Sequence, residues 1–519
     1  MEEKLSLFPS FKESKNVYIG LGAVTVFLLL MLYTLFLAHS INMVPSDIGR
    51  HIKNGELFLT EWKIPDVNRY SYTEPEFPVI NHHWGSGALF FLITKMGGLT
   101  GLHLFFIILS LATFLLFFKI SLRFVTIPIA SIVALFSIPL LAERTEIRPE
   151  AFSYLLVGIF LWILFRKKQY WLLPILTIFW VNLHIYFVLG AALTGAFLVE
   201  ALLQKKTESK RLAIALGSVI IAAGVNPFGI QGAIAPLTIF KNYGYKLAEN
   251  QSIWFMQKLT HDPNFLIFKI IFVAIIILFF AACWQRRKLP SIAILLIALG
   301  ISMLTWFAIR NLALFGLVAL PTAASLIAAV FPHILKKTTD WCIAALCVVG
   351  IAFIVVWGSG LERYFPFWAM RGVGVPQENA RSVVFFREHN LSGPIFNNYD
   401  IGGYLIYHLY PQERTFVDNR PEAYSVPFFK ERYIPMQENE EVWRKEDERY
   451  RFNVIYFSYH DATPWGQKFL ATRIADPAWA PVFVDGDVLI FLRRTAANQP
   501  IISRFELPKS TFRTGNTSS

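Results

Sequence analysis

Cysteine is nearly missing from this 519-residue chain: Cys283, Cys342 and Cys347 are the only three, and all lie in apolar runs. That excludes a disulfide framework and gives no zinc spacing. Charge is scarce as well, at 16% of residues, against about 25% in an ordinary soluble domain. No Walker loop, Gly-x-Ser-x-Gly elbow or dinucleotide fingerprint occurs, so a nucleotide phosphate and a serine nucleophile lack support. Internal repeats and long low-complexity segments are also missing, and with them the repeated halves that mark many transporters.

What the chain has in excess is apolar surface, with 55% of residues hydrophobic and 16% aromatic. Such a composition belongs in a bilayer. The net charge of +12 is scattered in short clusters between apolar runs rather than gathered on one face. It points to membrane orientation and away from nucleic acid.

A span needs about 20 apolar residues, because lipid offers no partner for an unpaired backbone group. Runs near 17–38, 100–119, 124–142, 151–165, 170–184, 186–204, 211–225, 265–284, 289–307, 311–333 and 341–358 give about eleven candidates. The first is too long for a signal-peptide core and reads as a retained signal anchor. Every second connection is basic, at Lys119 and Arg123, 166–168, 205–211, 285–288 and 335–337. The rule that basic loops stay in the cytoplasm puts the N-terminus inside. Loops 39–99, 143–150 and 226–264, the turn around Arg310 and everything after 360 then face outward. Within these loops, 85–98 and 226–242 are too short to cross and read as interfacial or re-entrant segments.

After residue 360 the pattern changes. A helix-like 378–390 precedes strand-like "PIFNN", helix-like "GGYLIYHLY", strand-like 414–420 and the strands "FNVIYFSYH" and "VLIFLRR". This alternation predicts a small α/β domain. The expected organisation is therefore a cytoplasmic segment 1–16, a membrane domain 17–360 with its large outer loop 39–99, a soluble outer α/β domain 361–497 and a flexible tail 498–519.

Chemistry concentrates in the outer loops. In "NMVPSDIGRHIKNGE" (42–56), Pro45 and Ser46 sit where a helix cap belongs and Gly55 where a short helix would stop. Asp47 falls in the first turn and His51 one turn later. Asp47 is either a cap or a general base held ionised at a helix start. His82 and His83 follow in the same loop, and with Asp47 they are the candidate ligands for a divalent metal ion. "AERTEIRPEAF" carries Arg148, "FWVNLHIYF" carries Asn182 and His184, and "WFAIRNLALF" carries Arg310. Polar groups near the membrane are costly and mark functional positions, although snorkelling and interhelical hydrogen bonds also account for each one singly. Together, arginines beside a carboxylate suit a reaction that releases phosphate. Asp418 and Arg420 in "FVDNRPEAY" read as structural turn residues or a glycan contact.

The texts "DIGRHIKNGE", "KIPDVNRYSYT", "NHHWGSGALFF", "IRPEAFSYLL", "WVNLHIYFVLG", "NPFG", "IRNLALF" and "NNYDIGGYLIYHLYPQERTFVDNRPEAY" resemble the GT-C-fold integral membrane glycosyltransferases. The closer similarity is to a bacterial group of polytopic membrane proteins, and it touches most of the chain. The resemblance implies about eleven membrane helices followed by a periplasmic or extracellular α/β domain, in the cytoplasmic membrane. It also implies an inverting transfer from a lipid-linked polyprenyl-phosphate sugar to a glycan, lipid or protein acceptor, with membrane lipids around it. Asp47 takes the role of base, and His51, His82, His83, Arg148, His184 and Arg310 become substrate or phosphate contacts. Many GT-C enzymes carry paired acids in the first loop, whereas Asp47 is followed by Ile48. Any acidic partner must come from elsewhere. The competing readings are a transporter or flippase for lipid-linked glycans and a non-catalytic assembly protein.

Overall fold

The computed structural model describes residues 11–238, 241–286, 291–332 and 372–512, together with 347, 348, 350, 351 and 354. The expected span 341–358 falls almost wholly outside these residues. So do Cys342, the basic loop 335–337, the domain boundary at 360 and the last seven residues of the tail.

The apolar runs fold into α1 (Phe11–Leu37), α3 (Trp84–Ser121), α4 (Ile127–Leu141), α5 (Glu150–Arg166), α6 (Leu172–Leu183), α7 (Val188–Leu203), α8 (Ser209–Ala222), α11 (Pro263–Arg286), α12 (Ile292–Phe307) and α13 (Leu312–Val330). Among the described residues, six helical segments are long and apolar enough to cross a membrane: Gly20–Leu37, Trp84–Ser121, Ile127–Arg144, Ile185–Leu203, Pro263–Gln285 and Ile309–Val330. The protein is thus a polytopic helical membrane protein. Helix α13 is apolar all round and sits at the centre, with Leu312, Leu314 and Leu320 fully buried, as a helix without a polar face must. On α11 the residues Ile270, Val273, Ile277 and Phe280 stay exposed, the apolar surface a lipid environment covers.

Between these helices lie α2 (Ile48–Glu61), α9 (Gly229–Ile234) and α10 (Ile253–Met256). Gly55 does not stop α2, which continues six residues further. The glycine serves a helix crossing instead: a Cβ there would lie 2.0 Å from the Gly87 carbonyl oxygen, and one at Gly87 2.7 Å from that of His51. Helix α3 is broken at Gly98, whose φ of 64° and ψ of −170° leave the helical region at no steric penalty for glycine. The break separates the short apolar stretch 85–98 from the remainder of α3.

The α/β unit contains α14 (Arg381–Glu388), β1 (Ile395–Asn397), α15 (Gly402–Leu409), α16 (Pro435–Glu438), α17 (Glu440–Tyr450), β2 (Val454–Ser458), α18 (Pro464–Ala475), β3 (Trp479–Val484), β4 (Val488–Arg493) and α19 (Gln499–Phe505). Its sheet runs β1-β2-β4-β3. β1 and β2 are parallel, and the other neighbours antiparallel. Every residue of β2 is buried, the mark of a strand covered on both faces. An aromatic core of Phe396, Phe416, Trp443, Phe452 and Phe469 fills one side. On the other side Tyr404 and Leu405 join the core that runs on into the membrane helices.

Two expectations change here. Segment 414–420 is not a strand: it makes one bridge, Ser71 to Thr415, and its backbone is satisfied by side chains. Asn397 accepts from the Phe416 amide and donates to the Val417 carbonyl, while Ser71 donates to the Phe416 carbonyl. The supposed tail carries α19, with Ile502 buried.

Candidate functional site

Asp47 stands at the start of α2 without capping it. The Ile48 amide is taken by the Ser46 hydroxyl at 3.3 Å, so the local reading of Asp47 as a cap does not hold. Asp47 Oδ1 instead accepts from Asn419 Nδ2 of the α/β unit at 2.5 Å. Arg50 and Arg148 each approach one of its oxygens at 3.7 Å.

A cavity of about 590 Å³ opens beside this carboxylate, and Asp47, His51, His82, His83, Arg148, His184 and Arg310 all line it. Five connections of the helical region and the α/β unit contribute to its walls, so segments distant in sequence meet at one end of the helix bundle. The close Gly55–Gly87 crossing sets α2 against the start of α3 and brings His51 edge-on to His83, with ring centroids 5.3 Å apart. His83 lies 5.2 Å from His184.

These imidazoles line the cavity as neutral groups. Burial first, then Arg50, hold His51 well below the ordinary histidine range. Burial and the neighbouring His184 and His82 do the same for His83, and burial lowers His82 to about 4. Around His184 the bonding fixes the tautomer. Trp180 Nε1 donates to Ser153 Oγ at 2.7 Å, and that hydroxyl lies 2.7 Å from His184 Nδ1. The Tyr186 backbone amide, which can only donate, also points at Nδ1 at 3.4 Å, so Nδ1 accepts and the proton sits on Nε2. Among the described residues, His51 Nδ1 is buried with no partner.

The positive charge comes from arginines. Arg144 and Arg148 reach Glu249 Oε2 at 3.0 and 2.7 Å, and Arg310 approaches Glu249 Oε1 at 3.6 Å. Arg144 and Arg310 also face Glu150 at 3.3 and 3.8 Å, and Arg148 pairs with Glu146 at 2.7 Å. Burial opposes the charge on Glu249, yet Arg148, Arg144 and Arg310 outweigh it and hold this carboxyl well below the usual range. Sequence reasoning missed Glu249. One signal was there: it is the only carboxylate between Glu208 and Asp262.

Asp400, three residues after β1, lines the same cavity. Burial, with Asp461 and Asp47 nearby, pushes its carboxyl up to about 7. A second acid beside Asp47 therefore comes from the α/β unit, a source that local sequence spacing conceals. Asp418 and Arg420 form a fully buried clip: Arg420 donates to Asp418 at 2.8 and 2.7 Å and to Asn68 at 2.5 Å.

A second cavity of about 340 Å³ adjoins the first. Ile185, Val188, Leu189, Leu304, Ala308 and Leu314 make most of its wall apolar. Lys241, Asn250 and Arg310 line both cavities, so an apolar slot runs up to a cationic corner.

The expected metal ligands do not assemble. Among the described residues no group of three His, Cys, Asp or Glu side chains is placed to hold an ion. Asp47 faces two guanidinium groups and an amide donor, which is not the setting of a cation ligand.

No family model matches the sequence, and no curated protein sequence does. The fold does have solved counterparts. The archaeal oligosaccharyltransferase AglB from Archaeoglobus fulgidus, in complex with an inhibitory peptide and a dolichol-phosphate, superposes with a TM-score of 0.58 at 12% identity, over 92% of this chain and 74% of that one. The Archaeoglobus fulgidus enzyme tethered by a disulfide to an acceptor peptide containing the NVT sequon gives 0.55 at 12% identity, over 93% and 74%. Its complex with Zn and sulfate gives 0.54 at 12% identity, over 91% and 73%. The chain has the GT-C fold of these membrane proteins.

Proposed function

We propose that this protein is a membrane glycosyltransferase that moves a sugar from a polyprenyl-phosphate donor to a glycan, lipid or protein acceptor at the outer face of the cytoplasmic membrane. The observation that carries this reading is the junction at Arg310. An apolar slot ends there, in a corner where Arg310 and Arg148 line the cavity that holds Asp47 and share Glu249 with Arg144. A polyprenyl tail fits the slot and a phosphate fits the arginines, because bidentate guanidinium groups match phosphate oxygens and keep their charge. The fold shared with an enzyme solved with a dolichol-phosphate supports a lipid-linked donor.

In the proposed reaction an acceptor hydroxyl attacks the anomeric carbon from the Asp47 side. Asp47 takes the hydroxyl proton as the new C–O bond forms. The bond from the anomeric carbon to the phosphate oxygen breaks, the lipid phosphate leaves with its electron pair, and the configuration inverts. Arg148 and Arg310, with Arg144 behind them, neutralise the developing negative charge. The neutral histidines offer hydrogen bonds to sugar or acceptor hydroxyls.

Charge balance gives Glu249 a part. Without ligand, Arg144, Arg148 and Arg310 face three carboxylates, Glu146, Glu150 and Glu249. A phosphate entering this poorly solvated corner adds negative charge, so one carboxylate must yield its place. Glu249, the carboxylate that all three arginines share, is the placeholder.

The test is transfer by the full chain in lipid nanodiscs, using a panel of radiolabelled undecaprenyl-phosphate monosaccharides and cell-envelope glycan, lipid and peptide acceptors. Label should reach an acceptor with inverted anomeric configuration. Retained configuration contradicts the single displacement. Movement of intact donor across the bilayer without bond cleavage favours transport.

A further inference from the structure

The three residues Asp418, Asn419 and Arg420 have divided roles. We infer that Asn419, delivered by the α/β unit, is the positioning residue for Asp47, and that its two neighbours exist to hold it there. The inference rests on the reading of Asp47 as the base and assigns the soluble domain a direct part in the reaction.

The bonding around Asn419 leaves one arrangement. Arg50 Nε can only donate, and it lies 3.1 Å from Asn419 Oδ1. That pins the amide oxygen and turns Nδ2 toward Asp47 Oδ1, 2.5 Å away. Arg50 therefore orients the amide, and the amide orients the carboxylate. With Oδ1 engaged, Oδ2 is left for the acceptor proton, on the side that Arg148 approaches.

The flanking residues fix the backbone. Asp418 Oδ1 accepts from the Arg420 amide at 3.1 Å and from Arg420 Nε at 2.8 Å. Asp418 Oδ2 accepts from Arg420 Nη2 at 2.7 Å and from the Tyr424 hydroxyl at 3.0 Å. The Arg420 guanidinium also covers the Tyr70 ring at 5.0 Å. This closed set of buried bonds is rigid enough to aim the residue between them.

Glycines let the two bodies approach. A Cβ at Gly403 would lie 2.9 Å from both Asn419 Nδ2 and the Ser46 carbonyl oxygen, and one at Gly49 would lie 2.6 Å from the Gly403 carbonyl oxygen. Helix α15 is thus seated directly on the turn that carries Asp47. Among the described residues, Asn419 of the α/β unit is the one hydrogen-bond donor to the Asp47 carboxylate.

A carboxylate in place of Asn419 would set a second negative charge against Asp47. The other charged or titratable groups around Asp47 are Arg50, Arg148, Asp400 and Tyr399; of these, Arg50 bonds to Asn419 Oδ1 and changes partner in either variant.

The test uses the full chain in nanodiscs and has two readouts. The first is the pH-difference infrared spectrum, with the Asp47 carboxylate band identified by its loss in Asp47→Asn. Asn419→Asp should move its titration upward by about one pH unit or more, and Asn419→Ala should move it in the same direction by less. This readout needs no turnover, so it stands even if no donor in the panel is used. The second readout is transfer. Asn419→Ala should lower kcat by about ten- to a hundredfold with the donor KM unchanged. The acid limb of Asn419→Asp should rise with the infrared titration.

An unmoved Asp47 band in both variants overturns the inference. Equal losses in kcat and donor affinity with an unshifted acid limb also overturn it, since that is a general packing defect. If Asp47→Asn itself keeps full activity, the base assignment fails first, a result distinct from either.

Discussion

Arg148 donates to Glu249 at 2.7 Å across 101 residues of sequence, and the same arginine lies 3.7 Å from Asp47. One guanidinium thus links the proposed base to the carboxylate that occupies the anion seat. Removing the charge of Glu249 frees that seat. Glu249→Gln should bind inorganic pyrophosphate about tenfold more tightly, or about 1.4 kcal/mol, by isothermal titration of the nanodisc-embedded protein. Unchanged or weaker binding means that Glu249 orients the arginines and does not compete with phosphate.

The slot beside Arg310 makes a separate prediction. Leu304→Trp fills apolar volume needed by a lipid tail, whereas Asn250, Lys241 and Arg310 remain at the corner. The donor KM should rise at least tenfold, and affinity for pyrophosphate should stay at the wild-type value. A parallel loss of both contradicts a slot that serves the tail alone.

Asp400 gives a pH dependence whose sign follows from its raised carboxyl, at about 7 against an ordinary 3.8. The folded state holds this proton more tightly than the unfolded chain, so stability falls as pH rises from about 4 to about 7. Asp400→Asn removes the effect. It should raise the unfolding temperature more at pH 8 than at pH 5. An equal rise at both values contradicts a desolvated carboxyl at this position.

Much of the site was legible because charge near a membrane is costly. His184 and Arg310 stood out against apolar neighbours and Arg148 lay in a charged loop between two apolar runs, and all three line one cavity. Residues whose roles depend on distant partners were harder to read. Asn419 is an ordinary turn amide until it meets Asp47, 372 positions away. Segment 414–420 has the composition of a strand, but Asn397 and Ser71 satisfy its backbone. Strand β3 escaped because Pro481 interrupts its pattern, and proline demotes a strand reading. Gly55 resembled a helix stop because local sequence does not distinguish a terminating glycine from one that admits a crossing helix.

That distinction is testable. Gly55→Ala places a methyl group against the Gly87 backbone, whereas nothing lies within 4 Å of a Cβ at Gly97. Overpacking on backbone should cost about 3 kcal/mol or more, and Gly97→Ala should be neutral or stabilising by up to about 1 kcal/mol. Monodisperse yield and thermal unfolding in detergent compare them. Equal behaviour of the two variants contradicts the close crossing of α2 and α3.

The most direct measurement is the transfer rate of Asp47→Asn beside wild type, in nanodiscs, with the same radiolabelled undecaprenyl-phosphate donors and matched folded protein. Asparagine keeps the shape of Asp47 and removes its ability to accept the proton. The account predicts a fall of at least about a hundredfold in kcat with donor binding retained. Turnover at the wild-type rate in Asp47→Asn contradicts it.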